Sequence, residues 1–194
     1  MPARQPDIKE RQFQNSYDDA LGPAFALGLG AQAPTATAFI SPIRLLTFNQ
    51  GTEDNIDITV QFPHTLELDV STLTFSPHVH FTCVASPGAN EQLKWDLIYS
   101  YAKPGLSVSS ATAFYPIQSL TSDVRTLTGN EYRHHLIDEL PDISLPARLC
   151  APSMIFACNL RMNGASTVAD ATVGLLSFDV HFLKGPNGTV TEYV

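Results

Sequence analysis

Apolar and polar residues alternate with a period of two through several short stretches of this chain. The clearest are IDITVQF at 56–62, HVHFTCV at 78–84, LKWDLIYSYA at 93–102, SMIFACNLRM at 153–162 and TVGLLSFDVHFL at 172–183. Their length and their β-branched and aromatic content predict strands. The separators SPGANE, AKPG, LTGNE and KGPNG supply the glycine, proline and asparagine that tight reversals need. Side chains two apart in a strand share a face, so His78 and His80 project together while Val79 and Phe81 project from the other side. The same rule puts Asp179 and His181 on one face of a later strand and Phe178, Val180 and Phe182 on the opposite one. Trp95, Leu97, Tyr99 and Tyr101 make a further stripe, read as the core of one sheet; an exposed carbohydrate platform is its alternative.

Two segments depart from this scheme. Residues 1–35 open on polar sequence and run into LGPAFALGLGAQAPTATAF, whose glycines and prolines discourage a helix and which lacks sustained alternation. They are expected to form an extended N-terminal arm, leaving 36–194 as the folded domain. The stretch EYRHHLIDELPDI reads as strand or as a short helix, since Tyr132, Leu136 and Leu140 lie four apart but Pro141 ends any helix at once. Many short strands in one domain predict an all-β, two-sheet sandwich. The long gaps between some strands suit Greek-key connections, so a jelly roll is expected, with an immunoglobulin-like sandwich as the alternative.

The chain has 194 residues, enough for one domain with its own core. Acidic residues outnumber basic ones 19 to 11, giving a net charge of -8. That balance argues against sequence-independent nucleic-acid binding, which needs Lys and Arg to neutralise phosphates. Only 15% of residues are charged and 44% are hydrophobic, which points to a surface partly covered by partners and to a homo-oligomer. Cys83, Cys150 and Cys158 are odd in number and lack CxxC spacing, so neither a disulfide framework nor a zinc knuckle is expected. The opening MPARQPDIKERQFQNSYDDA has no apolar secretory segment, and no stretch approaches the roughly 20 apolar residues of a spanning helix. The expectation is a soluble protein made in a reducing cytosol, with no membrane partner.

The histidines carry the candidate chemistry. His78-x-His80 is a metal-ligand spacing on strands, because two imidazoles on one face reach one ion, and His181 or His64 is placed to complete the set. Two other readings stand beside it: a polar seam in which each ring nitrogen meets a carbonyl or carboxylate, and a subunit contact. In a trimer, three copies of one HxH strand about an axis would present six imidazoles to one ion. His134 and His135 are adjacent, hence poor joint ligands if extended, and are read as surface or loop residues. Asp179 is expected to orient His181 only through neighbours. Cys83 is read as a buried small thiol rather than a nucleophile. No GxSxG elbow, HExxH or phosphate loop occurs, and the carboxylates show no acid and base pairing, so an enzyme is not expected. A metal ion held by His78, His80 and His181 is the one cofactor the residues raise.

Taken in order, QFPH, PHVHF, the W-x-L-x-Y-x-x-A series at Trp95, Leu97, Tyr99 and Ala102, SMIFACNLRM and LLSFDVHF resemble a group of tailed-bacteriophage proteins from phage and marine viral genomes. That group repeats a PH element, a PHVHW strand, a W-x-L-x-Y strand, a serine-methionine-led strand with a Cys and an Arg, and a closing FDIHY strand. Phe81 stands here where the pattern usually has Trp. The resemblance spans roughly residues 35 to 194 and implies a structural β-sandwich protein of the virion, assembled in the host cytoplasm. It further implies a homotrimeric capsid decoration or cement protein that binds the major capsid protein and orders its arm against the shell. The alternatives are a tail- or fibre-associated adaptor or receptor binder, and a cupin-like metalloprotein, for which the intervening Glu is not evident.

Overall fold

The computed structural model describes residues 16–22, 28–29, 33–50, 54–63, 66, 71–104 and 117–184. Its strands are β1 (Ser16–Gly22), β2 (Gly28–Leu29), β3 (Thr35–Ile40), β4 (Ile43–Phe48), β5 (Asn55–Gln61), β6 (Thr72–Cys83) and β7 (Gln92–Leu93). After them come β8 (Trp95–Ala102), β9 (Gln118–Thr121), β10 (Arg125–Thr126), β11 (Leu136–Glu139), β12 (Ile143–Pro146), β13 (Ile155–Met162) and β14 (Val173–Lys184). Ala147–Leu149 forms a 3-10 turn, and no helix among the described residues is long and apolar enough to cross a membrane.

Beside a short two-stranded ribbon in which β7 pairs with β10, the strands form an all-β sandwich of two antiparallel sheets. One runs β11-β6-β14-β4-β3, with β1 added along β14 and β12 continuing β11 along β6; the other runs β2-β5-β13-β8-β9. The pairing is nested: β4 pairs with β14, β5 with β13, β6 with β11 and β12, and β8 with β9, the members of successive pairs falling in alternate sheets. A long antiparallel ribbon wrapped around a barrel gives this order, and it is the strand order of a jelly roll. The stretch 131–143, open in sequence between strand and helix, is resolved as β11 followed by β12. Leu140, Pro141 and Asp142 oppose only Ser76 and Pro77 of β6, so the edge bends where prolines interrupt the ladder on both strands.

Alternation explains the core. In β13 every second residue is buried, placing Phe156, Cys158, Leu160 and Met162 inside. Trp95, Leu97, Tyr99 and Tyr101 of β8 are also buried, which removes the carbohydrate-platform alternative. Aromatic edges join the layers: Phe48 meets Trp95 at 5.3 Å, and Phe62 meets Phe75, Phe156 and Phe182 at 4.9, 4.9 and 5.5 Å. Of residues 1–35, Ser16–Gly22 lies in the larger sheet in register with β14, while residues 1–15 fall outside the described residues.

Candidate functional site

The outer face of the larger sheet carries the histidines because the core claims the alternate positions. On β6, Leu73, Phe75, Val79 and Phe81 are at most 1% exposed, which leaves Ser76, His78 and His80 facing outward. On β14 a bulge between Leu175 and Ser177 shifts the parity of the strand. Leu175 and Phe178 therefore both point inward, and Asp179 and His181 emerge on the same face as His78 and His80. The register sets Asp179 directly beside His78, Glu139 of β11 on the other side of His78, and Asp19 of β1 beside His181.

The contacts centre on Asp179. Its Oδ1 lies 3.6 Å from His78 Nδ1 and its Oδ2 lies 3.0 Å from His80 Nε2. The rings of His78 and His181 meet edge to face at 3.9 Å, and His181 Nε2 lies 2.8 Å from Asp19 Oδ1. Asp179 is 4% exposed and His78 9%. Despite this crowding, Asp179 Oδ1 and His80 Nε2 are buried without a hydrogen-bond partner; the 3.0 Å approach is electrostatic and misaligned for donation. A buried charged group left unsatisfied in this way costs about 1–3 kcal/mol or more. Burial, helped by neighbouring His181, holds the His78 pKa below the ordinary imidazole value, outweighing the opposite pull of Asp179 and Glu139. A neutral imidazole keeps one lone pair for a Lewis acid.

One ligand atom from each of His78, Asp179 and His181 lies within 4.8 Å of the others. The cluster opens into a groove of about 430 Å³ whose walls include Thr74, Ser76, Glu139 and Asp142. The three residues singled out in sequence, His78, His80 and His181, thus share one face, but His80 stands on the far oxygen of Asp179. His64 lies outside the described residues. Asp179 contacts the β6 histidines directly, whereas sequence alone linked it only to His181. His135, read from sequence as a surface or loop residue, is exposed and outside the strands, and it stacks on His80 at 5.1 Å, with Nε2 2.8 Å from His80 Nδ1. A turn that returns the chain along the end of β6, where Arg133 N–H donates to Cys83 O, brings it there.

A second polar cluster is hidden from sequence altogether. Asp138, on the inward side of β11, accepts from Trp95 Nε1 at 3.1 Å and pairs with Arg125 Nε. Burial raises its pKa against the opposing pull of Arg125 and Trp95. The three cysteines are free and buried, and burial pushes the thiols of Cys83 and Cys150 up to about 11 and that of Cys158 up to about 12. Such thiols are poor nucleophiles at neutral pH. No protein-family model and no curated protein matches this chain.

Proposed function

We propose that this protein is a structural component of a bacteriophage virion, a capsid decoration or cement protein that acts as a homotrimer on the major capsid protein. The observation that carries the reading is the jelly roll with its interior filled by side chains. Phe48, Phe62, Phe75, Phe156, Phe178 and Phe182 occupy the space between the sheets, so the working surfaces are the outer faces and edges. Both edges of the larger sheet carry exposed isoleucines, Ile40 and Ile43 at the β3–β4 turn and Ile137 on β11. An open edge with apolar side chains is suited to a neighbouring subunit. The ordered resemblance to tailed-phage proteins supplies the virion context, and the net charge of -8 fits contact with protein rather than nucleic acid.

The cupin-like alternative draws less support. A jelly roll that houses its metal between the sheets needs histidines aimed inward, and here His78 and His181 face out while phenyl rings fill the inside. The decisive experiment is cryo-electron microscopy of the particle, with mass spectrometry of its purified proteins. Density for this chain on the head shell, as trimers of the 21.1 kDa subunit, is the expected result. Density confined to the tail would replace the cement role with an adaptor role, and absence from the particle would overturn the virion reading.

A further inference from the structure

The geometry points to a divalent transition-metal site within a single chain, with His78, Asp179 and His181 as ligands and Asp19 as the outer partner of His181. It is independent of the virion reading. Three observations converge. First, the three donor atoms lie within 4.8 Å of one another. Ligands of a tetrahedral zinc ion sit roughly 3.3 Å apart, so closure takes about 1.5 Å of side-chain movement and no change of strand. Second, Asp179 is 4% exposed, and its Oδ1, on the His78 side, has no hydrogen-bond partner. A polar seam of satisfied histidines would have paired that oxygen, whereas a metal ligand is left bare until the ion arrives. Third, His181 Nε2 meets the Asp19 carboxylate at 2.8 Å. That contact fixes the ring and leaves Nδ1 as the lone-pair nitrogen, the arrangement in which a carboxylate steadies a metal-bound imidazole.

Two imidazoles and one carboxylate select zinc, cobalt, nickel or iron over magnesium or calcium, which prefer all-oxygen sets. His78 and His181 line the groove that Glu139 and Asp142 border, so a bound ion would be reached from that side. His80 flanks the site: its Nε2 lies 3.0 Å from Asp179 Oδ2 and its Nδ1 lies 2.8 Å from His135 Nε2. An ion here ties the central strands β6 and β14 to β1 across the face of the sheet.

The test uses tag-free protein stripped with chelator, then titrated with Zn2+ by calorimetry and with Co2+ by visible absorption. One ion per chain is expected, with Tm rising by about 5–10 °C at roughly 100 times the Kd. Asp19→Asn should weaken binding about 10-fold and Asp179→Asn by more, while His134→Ala leaves it unchanged. The Co2+ spectrum of the unaltered chain reads the nitrogen and oxygen ligand field even if a variant fails to fold. Absence of binding, one ion per three chains, or unchanged affinity in folded Asp179→Asn and His181→Ala would each overturn the site.

Discussion

Trp95 on β8 donates its indole N–H to Asp138 on β11 at 3.1 Å, a hydrogen bond that crosses from one sheet of the sandwich to the other. Both residues are buried, and Asp138 is also held by Arg125 Nε, whose second nitrogen Nη2 donates to Ile137 O at 2.6 Å. Trp95→Phe removes the donor, leaves a void and strands one carboxylate oxygen, so it should cost about 2–3 kcal/mol in urea unfolding. An unchanged midpoint would mean that the bond contributes nothing.

Arg125→Ala tests the charge on the same carboxylate. Burial raises the Asp138 pKa above 3.8 and Arg125 restrains the rise, so losing Arg125 raises it further. A group with a raised folded-state pKa contributes stability that is complete below its unfolded value and lost as pH rises through the folded one. The penalty of the substitution should therefore be greatest at neutral pH, about 2–3 kcal/mol, and shrink as the pH falls toward 3.8. A penalty independent of pH would assign the effect to packing instead.

Phe62 is fully buried where rings from both sheets converge, Phe75 and Phe182 from one and Phe156 from the other. Phe62→Ala should destabilise the fold by about 3–5 kcal/mol and Phe62→Leu by about 1–1.5 kcal/mol. Chemical denaturation of both variants checks the ratio. Equal losses would show that the site collapses around any smaller side chain.

The parts of this molecule that were legible in sequence are those where one strand obeys one alternation. β5 and β13 bury every second residue, and on β8 and the end of β14 the apolar side chains keep the same period although Asp96 and Asp179 are buried between them; the facing of His78, His80, Asp179 and His181 followed from that alternation of apolar side chains alone. β4 escaped because Leu45 to Phe48 are buried on both faces, which erases the period. β11 stayed open between strand and short helix because its one buried residue is Asp138 while Ile137 is exposed, the reverse of what hydropathy suggests. The meeting of Asp179 with the β6 histidines needs the register of two distant strands and the bulge at Leu175/Ser177, neither of which local sequence encodes. His135 reaches His80 through a turn, where no periodicity applies.

Gly174 sits in β14 between Thr47 of β4 and Thr82 of β6, at a point of close approach. A Cβ placed there would lie 3.0 Å from Val84 Cγ1 and 3.2 Å from Leu45 Cβ. β-branched residues ordinarily favour strands, yet Gly174→Val should destabilise by about 1–3 kcal/mol through overpacking. A raised Tm in calorimetry would show instead that Leu45 and Val84 yield freely.

The free thiols predict the alkaline limit of the fold. Cys83, Cys150 and Cys158 start from an ordinary value of 9.0, and burial pushes them up to about 11, about 11 and about 12. Because the folded values are raised, the stability each thiol contributes is complete below 9.0 and is lost as pH rises through its folded value. At about pH 10 the unfolded chain has ionised its thiols and the folded chain has not, so each withdraws about 1.4 kcal/mol. Urea unfolding from neutral to about pH 10 should show the decline, and Cys158→Ala should shallow it by roughly one third relative to its own neutral value. The same burial should keep all three thiols unreactive toward a disulfide reagent at neutral pH and release them together in denaturant. Rapid labelling of the native protein would mean that the sandwich opens locally far below its global stability, and the thiol account of the alkaline limb would fail with it.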